Sequence, residues 1–162
     1  MSFHDWVKAC AYVPLMFYQF YLSWRYYNML GLDWVTNLGW LVLWVSALFG
    51  WLPIYEFRKH GDVPEDQSYM HTTKIVTSGV YGVVRHPQFL AGVLVCFSMM
   101  LISQHLYSVI AGSIAALLFA SDVPPADERL VEKFGEPYLL YMERVPALNF
   151  VSGLFRLIQR RE

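Results

Sequence analysis

Charge is scarce in this chain. Only 15% of its 162 residues are Asp, Glu, Lys or Arg, against about 25% in an average soluble domain. Acids and bases nearly cancel, leaving a net charge of −1, which excludes the basic footprint of a nucleic-acid-binding protein. Cysteine is nearly missing. Cys10 and Cys96 lie in separate apolar runs, and no C-x-x-C or H-x-x-x-H spacing occurs; this argues against a disulfide framework and against a metal site. Both cysteines read as small buried hydrophobes. There is no strand–G-x-G-x-x-G–helix unit and no alternating strand pattern, so a soluble dinucleotide fold is excluded. Internal repeats and low-complexity tracts are lacking too. The N-terminus makes a poor signal peptide, because Asp5 precedes the apolar run, Lys8 interrupts it and no small-residue cleavage site follows.

What the chain has in excess is oil. Hydrophobic residues make up 56% and aromatics 17%. Many of the aromatics fall at the ends of apolar runs, where Trp and Tyr sit at a membrane interface. Crossing the hydrocarbon of a bilayer takes roughly 20 apolar residues in a helix. Four runs qualify: Trp6 to Tyr27, Trp34 to Tyr55, Pro87 to Ile102, and Leu106 to Val123. Lys8 and Arg25 lie near the ends of the first, where long side chains reach water. Only Ser103-Gln104-His105 joins the last two, which predicts an antiparallel hairpin.

Lys and Arg set orientation. They collect between the second and third runs (Arg58, Lys59, Lys74, Arg85) and after the fourth (Arg129, Lys133, Arg144, Arg156, Arg160, Arg161). They are absent from the turn at 103–105 and from the stretch 26–35, with Arg25 the one exception. The expectation is an all-α, multi-pass integral membrane protein with both termini cytosolic, forming one membrane-embedded domain over 1–162. Its parts are an N-terminal helix pair (1–56), a cytosolic loop (57–86), a helical hairpin (87–123) and a cytosolic tail (124–162). In the tail, Pro124-Pro125 should end the fourth helix, and Asp127 to Phe134 reads as helix. Gly135 suits a C′ position and Pro137 the first turn of another helix. Leu130, Phe134, Tyr138, Tyr141 and Val145 step by three or four and line one face. Ala147 to Ile158 alternates apolar residues with Arg and reads as a surface-lying segment.

One stretch, from Ile75 to Gly92, carries chemistry. Pro87 can open the third helix, since its missing N–H has no helical partner there. The N–H groups of Gln88 and Phe89 then form, with the helix dipole, an anion site beside Arg85 and His86. Gly79 and Gly82 should let the backbone turn closely against a ligand, and Gly92 should let a neighbour pack against the third helix. The hairpin returns Asp127-Glu128 to the same membrane face. A basic pair facing an acidic pair suits a zwitterion. Read blandly, Arg85-His86-Pro87 is a basic juxtamembrane flank, Asp127-Glu128 are first-turn helix acids, and Tyr138 and Tyr141 are packing residues. His4, His60, His71 and His105 are scattered and receive no role.

Taken together, Val76-Thr77-Ser78-Gly79-Val80-Tyr81, Arg85-His86-Pro87-x-Phe89-x-x-Gly92, Asp127-Glu128 and Phe134-Gly135-Glu136-x-Tyr138-x-x-Tyr141-x-x-Arg144-Val145-Pro146 resemble the isoprenylcysteine carboxyl methyltransferase family. That family groups with the membrane phospholipid methyltransferases. The resemblance covers Thr73 to Pro146. It implies S-adenosylmethionine as cofactor, bound by Thr73, Lys74, Ile75, Val76, Tyr81, Arg85, His86, Pro87, Gln88 and Phe89, and by Asp127 or Glu128. It implies a lipophilic or lipidated acceptor reached from the bilayer. On the substrate side it points to Tyr141 and Arg144. An acceptor that must lose a proton needs a base, for which His86, Tyr141 and Glu128 are candidates.

The sequence departs from the family at two places. Phe89 stands where the family usually has Tyr. Val123-Pro124-Pro125 stands where isoprenylcysteine enzymes place an Arg that holds the substrate carboxylate. Burying a carboxylate without its cation is costly, so a lipid amine or a thiol stays open as acceptor. Two other classes compete: a sterol-reductase-like, NADPH-dependent membrane reductase, and a non-catalytic membrane scaffold. Oligomeric state is not legible.

Overall fold

A computed structural model describes the backbone of residues 3–62 and 72–159, with side chains from residue 11 onward. The readings of Cys10, His4 and His71, and of the loop over 63–71, fall outside the described residues and side chains. All regular structure among the described residues is helical: α1 (Phe3–Arg25), α2 (Asp33–His60), a short 3₁₀ turn (Gly79–Gly82), α3 (Pro87–Ser103), α4 (Leu106–Ser121), α5 (Val123–Phe134), α6 (Glu136–Arg144) and α7 (Phe150–Gln159). The chain divides into two compact units. One comprises residues 1–47 and 90–122, the other 48–89 and 123–162.

The first unit is an up-and-down arrangement of α1, the start of α2, most of α3, and α4. Gln19, fully buried, donates to the carbonyls of Cys96 (2.8 Å) and Ser108 (3.3 Å), tying α1 to α3 and α4 at once. Ser23 adds a bond to Met99 O at 3.1 Å. The α3–α4 hairpin is antiparallel as expected: a side chain at Gly92 would meet the Phe119 ring at 2.7 Å, and Ser108 Oγ donates to Met99 O. Gly92 thus permits the close approach anticipated for it. Cys96 packs with Ala115 and Ala116 at the centre of this core. α2 runs antiparallel to α3, with Ser46 Oγ on Ala91 O (2.9 Å) at one end and Gly39 against Ile102 at the other.

The two turns that lack Lys and Arg are stitched together. Asn28 N and Met29 N donate to Ile102 O and Ser103 O. Gln104 Nε2 reaches Asn28 Oδ1, Leu32 O and Thr36 Oγ1 within 2.9 Å.

Among the described residues, two stretches are long and apolar enough to cross a membrane. They are α2, 28 residues with an 18-residue window of mean hydropathy 1.6, and Leu106–Phe134, 29 residues with such a window of mean hydropathy 1.7. The apolar part of the latter is α4. Much of the apolar surface is uncovered: Trp24, Trp44, Trp51, Phe17 and Leu117 are each at least 70% exposed. A soluble monomer seldom exposes contiguous apolar surface on that scale.

Helix boundaries differ from expectation where apolar counting loses its grip. α2 continues four residues past Glu56, because Glu56 pairs with His60 one turn on (3.0 Å) and Arg58, Lys59 and His60 complement the negative end of the helix dipole. Residues 57–60 are therefore helix rather than loop. α4 ends at Ser121, before the prolines, and Asp122 makes the break. Pro124 and Pro125 instead sit in the first turn of α5, where a missing N–H forfeits no helical bond. Gly135 has φ 66° and Pro137 lies in the first turn of α6, as the sequence suggested.

In the second unit, Tyr138, Tyr141 and Val145 form a buried core against Ile75, Leu130, Val131, Phe134 and Met142. The single face foreseen for α5 and α6 is the face that packs.

Candidate active site

The centre of the second unit is a buried carboxylate. Asp127, one turn into α5, accepts from Arg85 Nη2 (2.9 Å) and Nε (3.1 Å), from His86 Nε2 (2.7 Å) and from Tyr138 Oη (2.8 Å). Arg85 also donates through Nη1 to Val145 O (2.7 Å) and Met142 O (3.3 Å). These are the orphan carbonyls at the end of α6, a position that favours a cation. The backbone N–H groups of Arg85 and His86 donate to Pro146 O and Ala147 O. The Arg85-His86 segment is thereby fixed to α5, α6 and the chain beyond them.

The acidic pair does approach Arg85-His86, through Asp127 alone, and the contact is direct. Arg85 and Asp127 spend their charge on each other. Burying an ion pair is costly unless the remaining donors and acceptors are satisfied, and here they are. Burial alone would raise the Asp127 pKa; the bonds from Arg85, His86 and Tyr138 outweigh it and hold the carboxyl below its usual range. Burial dominates at His86 and lowers its pKa below 6.5, against the pull of Asp127. Donation from Nε2 to the carboxylate is the arrangement that satisfies both groups, and in a neutral ring it leaves Nδ1 as the basic nitrogen.

Beside this network lies a cavity of about 370 Å³, within the ordinary range for small-molecule sites. Its walls come from three places: the end of α2 (Phe57); the segment from Thr72 to Phe89; and the α5–α6 face from Ala126 to Tyr141. Of the residues singled out in the sequence, Lys74, Ile75, Val76, Tyr81, Arg85, His86, Pro87, Gln88, Phe89 and Tyr141 line it. Phe57 stacks on Tyr81 (4.7 Å) and Phe89 on His86 (5.4 Å).

Four of the residues singled out do not reach the wall. Thr73 turns away to bond Asp62 O. Asp127 stands behind the wall and holds Arg85, His86 and Tyr138, which form it. Glu128 is exposed on the outer side of α5, and Arg144 is exposed at the end of α6. Tyr141 lines the cavity, but its hydroxyl donates to Tyr81 O at 2.6 Å and burial pushes the phenol pKa up. It is a poor proton acceptor. Gly79 and Gly82 do not face the cavity either. Gly79 has φ 55° and presses on the Glu56 carboxyl, which Ser78 Oγ also meets at 2.7 Å.

The walls also hold Phe57, Arg129, Lys133 and Phe134, to which sequence reasoning gave no site role. Helix phase would have found three of them, since 126, 129, 130, 133 and 134 share one face of α5. Lys133 Nζ donates to Thr72 O (2.6 Å) and closes the wall on that side. Phe57 carried no signal, because α2 was expected to stop before it.

No solved structure matches the chain. Protein-S-isoprenylcysteine O-methyltransferase B of Arabidopsis thaliana is 25% identical over 123 residues, covering 70% of this chain and 58% of that protein. The chain thus spans less than two thirds of that relative's length. Residues 34–125 match phospholipid methyltransferase, more than half of the chain and the whole path from α2 through the Arg85-His86-Pro87 segment to the start of α5; the chain belongs to the phospholipid methyltransferase family.

Proposed function

We propose that this protein is an S-adenosylmethionine-dependent methyltransferase acting on a lipophilic acceptor at the cytosolic face of a membrane that it crosses four times, with both termini cytosolic. The observation that carries the reading is that one cavity gathers residues from both halves of the motif set, 74–89 and 126–141. Its lining fits the cofactor. The rings of Phe57, Tyr81, Phe89 and Phe134 offer π faces to a sulfonium, and Lys133 brings positive charge to the wall for a carboxylate. When bound, S-adenosylmethionine supplies a methyl group already activated for direct displacement. The work left to the protein is alignment and exclusion of water. His86 Nδ1 is the group suited to take a proton from an acceptor that must lose one.

Of the acidic pair, Asp127 is the member we assign to the site, as a positioning residue. The family match and the named relative support a lipid or lipidated acceptor: a lipid amine, an isoprenylcysteine-like carboxylate, or a thiol. Arg144, exposed and away from the cavity, is left out of the acceptor assignment.

The test is calorimetric titration of the purified protein with S-adenosylhomocysteine, with NADPH as control. Micromolar affinity for the first alone is expected. His86→Ala should weaken it by more than the roughly 1 kcal/mol of a neutral hydrogen bond, and Glu128→Ala should leave it unchanged. NADPH binding, or no binding by a well-folded sample, would overturn the assignment.

A further inference from the structure

Helix α7 has three faces. At about 100° per residue, Phe150, Gly153 and Leu157 fall in one sector, Val151, Leu154, Phe155 and Ile158 in the next, and Ser152, Arg156 and Gln159 in the third. The first sector faces the protein. Phe150 packs on Phe49 of α2 with ring centroids 5.7 Å apart. Gly153 lies so close to the Val83 carbonyl that any side chain there would collide with it. The second sector is apolar yet bare: Val151, Leu154, Phe155 and Ile158 are 48–63% exposed. The third is polar. A helix meeting only protein and water needs two sectors; this one has a surplus apolar sector, roughly 100° wide.

Beside that sector lies apolar surface on α2: Phe150 meets α2 at Phe49, among Leu48, Trp51, Leu52 and Tyr55, which are also exposed. α2 is one of the two membrane-length stretches among the described residues, so α7 is docked on a helix suited to span a bilayer. Arg156 lies in the polar sector, on the side turned away from the bare one, and Arg160 and Arg161 follow in the sequence. Basic residues on the polar face of an interfacial helix suit anionic headgroups.

We infer that α7 is an interfacial helix, seated in the headgroup layer of an anionic bilayer, and that this seating holds the cofactor pocket together. The second clause rests on the function proposed above. The mechanical link is short. Gly153 abuts Val83, two residues before Arg85, and residues 146 and 147, just before α7, accept the backbone N–H groups of Arg85 and His86. A displaced α7 would release the loop that carries both.

The experiment is spin-label accessibility on the full chain in nanodiscs containing anionic lipid. Cys10 is replaced by Ser, buried Cys96 is left in place, and single cysteines are introduced at 152, 154, 155, 156 and 158. Labels at 154, 155 and 158 should be relaxed more by oxygen than by a water-soluble nickel chelate, and labels at 152 and 156 the reverse. Chelate access at every position would overturn the proposal. So would protection from both reagents with spin–spin broadening, which would place a second copy of the chain on the stripe.

The coupling is read separately. Phe155→Asp should lower S-adenosylhomocysteine affinity about tenfold in nanodiscs, with unchanged thermal stability in detergent. Unchanged affinity with α7 lifted from the bilayer would overturn the coupling. If the wild-type protein binds no S-adenosylhomocysteine, the cofactor reading fails, while the depth profile still decides where α7 lies.

Discussion

Asp127 shows how much one side chain can organise. It is 6% exposed and receives hydrogen bonds from three residues on two segments far apart in sequence. Removing its charge strands Arg85, and breaking a buried pair from one side costs about 3–5 kcal/mol. Asp127→Asn should therefore lower stability by roughly 3 kcal/mol, whereas Tyr138→Phe, which deletes one hydrogen bond, should cost about 1 kcal/mol. Equal losses in denaturant unfolding of the detergent-purified protein would contradict this ranking.

The same network sets a pH dependence. The native Asp127 pKa is depressed, so its contribution is complete above the unfolded carboxyl value of about 4 and is lost as pH falls through the lower native value. The native His86 pKa also lies below 6.5. The unfolded chain therefore takes up that proton first, and stability declines as pH falls from 6.5 toward the native value. Both effects have one sign. The unfolding midpoint should fall as pH drops from 7 to 5, and His86→Gln should remove that part of the slope. A midpoint rising over this interval would count against the assignment. In the sequence, the choice between Asp127 and Glu128 stayed open because adjacent acids look alike. Helix phase separates them: 127 shares a face with 130, 131 and 134, and 128 does not.

Among the elements, those marked by hydrophobic length, or opened by Pro87 or Pro137, were legible; Pro124-Pro125, expected to end α4, open α5 instead, and elements held by polar contacts left no signal. The start of α3 at Pro87 and the 103–105 turn emerged as read. The last turn of α2 depends on Glu56 with His60 and Ser78, a cluster that no apolar count detects. Gly79 is part of that junction, with φ 55° and no room beyond its Cα. Gly79→Ala combines a left-handed backbone, worth about 1–2 kcal/mol for an L-residue, with displacement of Glu56. It should destabilise the protein by at least that amount. It should also weaken S-adenosylhomocysteine binding, since the 3₁₀ turn carries Tyr81 into the cavity wall. An unaltered melting midpoint would show that Glu56 yields freely.

For the molecule as a whole, the motifs carried the family and composition carried the helical class. The excess of apolar residues, the aromatic belts and the uneven Lys and Arg foretold a helical protein with membrane-length spans. The approach of Asp127 to Arg85, 42 positions apart, followed from the hairpin, but its closure into a direct ion pair had no local trace. The proposed four-span arrangement puts residues 28–31 and 103–105 on the side opposite the termini. Membrane-impermeant thiol labelling of Asn28→Cys and of a cysteine added at the C-terminus, in sealed vesicles with Cys10 replaced by Ser, should give opposite results. Labelling of both from one side would exclude it.

The chain on either side of residues 63–71 is sewn to itself. Thr73 N donates to Gly61 O at 3.0 Å, Thr73 Oγ1 to Asp62 O at 3.0 Å, and Lys74 pairs with Asp62 at 2.9 Å. A seam of this kind isolates the rest of the fold from whatever is threaded between its two lips. Thr72 and Lys74, which line the cavity, are thereby anchored to the end of α2 by contacts of the seam itself.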